Sequence, residues 1–124
     1  MSDRPRAMSA SLLTTDLMTA SKAQGAAMRA GCTLRTAANV DVLLAQAAEP
    51  GCRLVILDLG TPGLDPAELV PRLRSLESRP TILAFGPHVH EARLQAAIQA
   101  GCDLVISRGQ FHAQAEEILG KHSG

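Results

Sequence analysis

One phrase recurs along the chain: a short apolar run, a turn, an amphipathic stretch rich in Ala and Leu, and then a glycine. The apolar runs predict strands at Ala10–Thr14, Thr33–Thr36, Arg53–Leu57, Thr81–Phe85 and Leu104–Ile106. The stretches between them predict helices near Asp16–Ala30, Val40–Ala48, Pro66–Leu76, Glu91–Ala100 and Ala113–Leu119. Leu54-Val55-Ile56-Leu57 is apolar at consecutive positions, so both faces of the third strand are buried. That is the pattern of a central strand in a parallel sheet covered by helices.

The punctuation between the runs agrees. Asp65-Pro66-Ala67-Glu68 reads as an N-cap, a proline at the first helical position and a glutamate placed to close a capping box. Asn39 is a good N-cap for the second helix, whose apolar residues fall three and four apart and give one buried stripe. Gly31 and Gly101 stand where helices end and favour a left-handed cap. Pro71, about five residues into the third helix, deletes the hydrogen bond to Ala67 and should bend or shorten that helix. Five βα units joined by right-handed crossovers predict a doubly wound, flavodoxin-like α/β fold. It is a three-layer α/β/α sandwich around a five-stranded parallel sheet of order 2-1-3-4-5. Residues 1–124 read as one domain, with 1–8 and 120–124 as loose tails.

Composition narrows the class of function. Twelve basic residues balance 12 acidic ones, so the chain is not built to coat nucleic acid or an anionic membrane. Phe85 and Phe111 are the only aromatics, which excludes stacking platforms for bases. Apolar runs of only a few residues exclude a transmembrane helix. The charged start, Met1-Ser2-Asp3-Arg4, is followed by no run suited to a signal peptide. The expectation is a soluble cytoplasmic protein, and the arginine and alanine bias suggests a GC-rich bacterial source.

In an open α/β sheet, ligands meet the carboxyl ends of the strands near the switch point. That edge carries Thr14-Thr15-Asp16, Asp58-Leu59-Gly60-Thr61-Pro62-Gly63, Gly86-Pro87-His88 and Ser107-Arg108-Gly109. The segment Val55-Ile56-Leu57-Asp58-Leu59-Gly60-Thr61-Pro62-Gly63-Leu64-Asp65 resembles the third strand and following loop of bacterial response-regulator receiver domains, the CheY-like family. Ala100-Gly101-Cys102-Asp103 resembles that family's turn before strand five. The resemblance covers nearly the whole chain in order and spacing. It implies a two-component, phosphorelay-type signalling domain, with Asp58 at the position that accepts a phosphoryl group.

The rest of the family's site is altered. Thr14 and Thr15 fall on the acidic pair that helps hold Mg²⁺, and Asp16 follows one place late. Gly86 falls on the hydroxyl position, Arg108 on the lysine and Val105 on the rotating aromatic. Mg²⁺ dehydrates reluctantly and wants hard, charged oxygens. Each carboxylate lost removes an attraction of about 4 kcal/mol at 4 Å, even at an effective dielectric of 20. The expectation is therefore a degenerate pseudo-receiver with impaired phosphorylation, no cofactor, and a protein partner: a histidine kinase, an output protein or a second copy. The alternative is a working phosphoacceptor on Asp58 with Asp16 as a displaced Mg²⁺ ligand. Enzymatic activity would then extend at most to autophosphorylation and autodephosphorylation.

Other residues invite competing readings. Cys32, Cys52 and Cys102 each follow a glycine at the entry to a strand, opposite Asp58, where a small residue suffices. His88 and His90, with Asp58 or His112, suggest a transition-metal site, against the plainer reading of exposed loop residues. Between Leu17 and Ala30 only Lys22 and Arg29 are charged, so helix one is either an alanine-rich surface helix or a surface for a partner.

Overall fold

The computed structural model describes residues 8–123. The elements alternate as β1 (Ser9–Leu13), α1 (Leu17–Ala30), β2 (Thr33–Ala37), α2 (Val40–Ala47) and β3 (Cys52–Asp58), then α3 (Pro66–Arg74), β4 (Thr81–Gly86), α4 (Glu91–Ala100), β5 (Leu104–Ser107) and α5 (Arg108–Ser123). The strands form one parallel sheet in the order β2-β1-β3-β4-β5. This is the α/β flavodoxin-like arrangement expected from the sequence.

The central strand explains the layers. Along β3, Leu54 and Ile56 point to one face and Val55 and Leu57 to the other, and all four are fully buried. The first face packs under α1 and α5 through Ala23, Ala27, Phe111 and Leu119. The second packs under α2, α3 and α4 through Leu43, Leu69, Leu73 and Ala97. With so few aromatics, Phe85 of β4 and Phe111 of α5 stack on the first face with centroids 4.4 Å apart.

Local signals account for most boundaries. Gly31 and Gly101 close α1 and α4 at φ 72° and 97°, the left-handed region that glycine enters without strain. Asn39 Oδ1 accepts from Val42 N at 2.9 Å at the start of α2. Asp65 caps α3 by accepting from Ala67 N at 3.1 Å.

Four expectations need correction. Glu68 does not close a box on Asp65; its carboxylate lies 3.8 Å from Arg72, one turn along the exposed face. Helix α3 ends at Arg74, two residues early, with Pro71 inside it. Residues 120–123 are not a loose tail, because α5 continues through them, and residues 1–7 of the other expected tail lie outside the described residues. Finally, α5 begins at Arg108 and not at Ala113. The cause is a capping box: Ser107 Oγ accepts from Gln110 N at 3.1 Å while Gln110 Oε1 accepts from Ser107 N at 3.2 Å. Helix α5 thus starts directly at the end of β5, which fixes Arg108 at the sheet edge.

Candidate functional site

Strands β1 and β3 are neighbours, and their carboxyl ends bring Thr14 and Asp58 together. Both are buried, at 5% and 3% exposure. Thr14 Oγ1 donates to Asp58 Oδ2 at 2.7 Å, and Gly60 N donates to Asp58 Oδ1 at 2.9 Å. Each carboxylate oxygen therefore has a donor from the protein. Asp16 N donates in turn to Thr14 Oγ1 at 3.1 Å, so the threonine hydroxyl is held from both sides. A Cβ at position 60 would stand 3.3 Å from Asp58 Oδ1, a tight approach that the carboxylate would have to yield to by a few tenths of an ångström.

Asp16 acts as the N-cap of α1. Its Oδ1 accepts from Met18 N at 3.0 Å and its Oδ2 from Thr19 Oγ1 at 2.8 Å. The Thr19 hydroxyl lowers the carboxyl's pKa below the ordinary 3.8 against an opposing desolvation, helped by the Met18 and Thr19 amides and the Arg108 charge. Thr15 is exposed.

Arg108 leans over the same rim. Its Nη2 is 3.7 Å from the point where a Gly60 Cβ would stand. Among the described residues it forms no ion pair, and its Nε is buried without a hydrogen-bond partner. Gly86 ends β4 beside Leu59 and Leu94: an added Cβ would make ordinary contacts, 3.4 Å from Leu59 Cβ and 3.7 Å from Leu94 Cδ2. Val105 is half-buried against the α4 side of the core.

The histidines separate. His112 lies one turn beyond Arg108 in α5, tilted against Phe111 and Phe85 at centroid distances of 5.7 and 6.5 Å. Burial, with the charges of Lys22 and Arg108, pushes its pKa below the ordinary 6.5, and Asp16 and Asp58 oppose the shift. His112 therefore borders the site. His90 precedes α4 without a side-chain capping bond, and His88 belongs to the same turn. Among the described residues no three His, Cys, Asp or Glu side chains are grouped to hold a metal, so the His88–His90–Asp58 reading is not supported by geometry. Cys52 opens β3, and Cys32 and Cys102 precede β2 and β5, all on the opposite edge. Burial raises Cys52 and pushes Cys102 up to about 11, which makes both poor nucleophiles.

Sequence reasoning missed two residues near this edge. Thr61 is buried with an unpartnered hydroxyl, and Arg93 of α4 reaches across to donate to Leu59 O at 3.4 Å. The first belongs to the loop already singled out. The second carries no local signal, since only the packing of α4 against the loop brings it there.

No protein-family model and no curated protein matches the sequence. Solved structures do. The chain is similar to the receiver domain of a sensor histidine kinase from Pseudomonas aeruginosa, solved with a magnesium ion coordinated in its active-site cleft. The TM-score is 0.79 at 16% identity, covering 96% of this chain and 99% of that one. It is similar to a response regulator from Hahella chejuensis, with TM-score 0.77 at 18% identity over 91% and 92% of the two chains. A third likeness is to the receiver domain of a Saccharomyces cerevisiae response regulator, co-crystallised with a histidine phosphotransfer signalling protein. Its TM-score is 0.75 at 14% identity, over 94% and 89%. The fold is that of response-regulator receiver domains. Among the described residues no helix is long and apolar enough to cross a membrane.

Proposed function

We propose that the chain is a receiver-like signalling module of the two-component type that acts by docking to a protein partner, with Mg²⁺-dependent phosphorylation at Asp58 impaired. The observation that carries this reading is the state of the two carboxylates at the rim. Asp58 spends one oxygen on the Thr14 hydroxyl and the other on the Gly60 amide, and Asp16 spends both of its own on the first turn of α1. A divalent ion that needs several hard anionic oxygens finds one buried carboxylate already engaged and one committed elsewhere, so the donor set does not fit Mg²⁺. Without a metal, a carboxylate is a weak nucleophile toward a phosphoryl group, because nothing neutralises the charge gathering between them.

Arg108 supplies one positive charge at the rim, but the hydroxyl and aromatic positions are held by Gly86 and Val105. The yeast structure has a receiver seated on a phosphotransfer protein, which makes a histidine kinase, an output protein or a second copy the natural partner class for this fold. The test is intact-mass measurement after incubation with Mg²⁺ and acetyl phosphate. The expected result is an unchanged mass. A phosphoryl adduct that disappears in Asp58→Asn would overturn the reading and favour a working phosphoacceptor with Asp16 as metal ligand.

A further inference from the structure

Beside the rim lies a cavity of about 420 Å³ between the β3–α3 loop and α4, in which neither Asp58 nor Arg108 takes part. Small-molecule sites commonly measure roughly 300–1,000 Å³. Its loop wall is stiff for a local reason. Leu64 N donates to Thr61 O at 3.3 Å, Pro62 fixes the second position and Gly63 takes the third at φ 79°, which together make a type II turn. Leu59, Leu64, Pro66 and Ala96 give the cavity apolar walls.

Two polar features stand out against that lining. Arg93 is the one cation among the lining residues, and among the described residues it has no carboxylate partner. Among the described residues, the one hydrogen bond of its guanidinium is the long bond to Leu59 O. Thr61 is only 4% exposed, and its hydroxyl has no hydrogen-bond partner. Arg93 is exposed at the cavity and its guanidinium is open to an oxyanion, whereas the Thr61 hydroxyl is closed off from solvent within the loop wall.

We propose that this cavity binds a small amphipathic carboxylic acid, its carboxylate on Arg93 and its apolar body against Leu59, Leu64 and Ala96. A single guanidinium suits a monoanion; a phosphate dianion would call for a second cation, and a cationic ligand would be repelled. The site goes beyond the docking role proposed above, because it offers the module a ligand input that needs no phosphoryl group. The input has a short route to the rim: Gly60 lines the cavity and its amide holds Asp58 Oδ1, and Thr61 N donates to Asp58 O at 3.0 Å.

The experiment is a titration of the 15N-labelled chain with 2-naphthoate, followed by amide chemical shifts in the absence of Mg²⁺, beside 2-naphthamide as the uncharged isostere. Saturable shifts should centre on Gly60, Gly63, Leu64, Arg93 and Ala96. Affinity should fall about tenfold for the amide and in Arg93→Gln, as loss of a charge-assisted contact implies. Ala96→Leu, which fills the cavity from an exposed helical position, should abolish the shifts while leaving the remaining spectrum in place. The proposal is overturned by shifts that do not saturate, by shifts centred on the exposed Met18, Met28 or Val89, or by an Arg93→Gln variant that binds as the parent does. No phosphodonor is present, so these outcomes are independent of whether Asp58 can be phosphorylated.

Discussion

The hydroxyl of Thr14 and the carboxylate of Asp58 form a buried 2.7 Å hydrogen bond between residues 44 apart in the chain. By the resemblance, Thr14 falls on one of the two acidic residues that help hold Mg²⁺ in the family. Here it carries a donor that points at the acceptor's own oxygen. Thr14→Ala should leave Asp58 Oδ2 buried without its donor and destabilise the fold by about 1.5–3 kcal/mol, the range for hydrogen bonds to charged groups. Urea unfolding measures this directly, and a change near zero would mean that water replaces the hydroxyl at no cost.

The reverse substitution tests the metal argument. Thr14→Asp sets a second carboxylate against Asp58 in a buried place, where like charges repel strongly. The variant should melt lower than the parent at neutral pH and recover when millimolar Mg²⁺ is added, because a divalent ion removes the repulsion. The parent should show no Mg²⁺-dependent rise in Tm. A parent that responds as strongly as the variant would show that Thr14 is not what closes the rim to metal.

Much of this geometry was legible in the sequence, and the parts that were not share a physical cause. The run Leu54–Leu57 reads as a doubly covered strand, and a strand that ends at Asp58 delivers its side chain to the ligand edge. That Thr14, Asp16, Gly86 and Arg108 stand around that edge followed from strand ends alone. What Thr14 does there could not be read, since two strand ends fix proximity but a rotamer decides who bonds to whom. The start of α5 was hidden in a different way. Gly109 reads as a helix breaker, and the Ser107-to-Gln110 box that overrides it begins inside a strand. The cavity beside Arg93 was illegible because α4 and the β3–α3 loop meet only through tertiary packing.

The capping box makes its own prediction. Ser107→Ala removes the acceptor for Gln110 N and should cost about 1 kcal/mol, the usual price of an N-cap. The loss should be local. Amide exchange at Gly109 and Gln110 should quicken more than exchange in the middle of α5, because only the first turn depends on the cap. Equal acceleration along the whole helix would indicate that the box does not hold the end.

Asp16 links the site to acid stability. Its folded pKa is lowered first by the Thr19 hydroxyl, so its contribution is present above the ordinary 3.8 and is lost as pH falls through the lowered folded value. Asp16→Asn keeps a capping side chain but removes the charge. The parent should melt higher at neutral pH, and the two melting curves should converge as the pH drops below 3.8. Curves that stay parallel to the acid end would mean that the cap works without its charge.

His112 supplies the opposite end of the pH range. Its ring is wedged against Phe111 and Phe85, and burial lowers its pKa below 6.5, with Lys22 and Arg108 adding to the shift while Asp16 and Asp58 resist it. The fold therefore prefers the neutral ring. In the unfolded chain the imidazole takes up a proton near 6.5, so the unfolded state binds more protons between that value and the lowered folded one. The stability contributed by the neutral ring is complete above 6.5 and declines as the pH falls toward the folded value. His112→Phe keeps an aromatic ring beside the Phe85–Phe111 stack and removes the titration. Melting measured from about pH 8 to pH 5, the window in which histidine titrates, should slope downward in the parent and lose that part of its slope in the variant. An undiminished slope in His112→Phe would move the pH dependence away from this ring and onto another histidine.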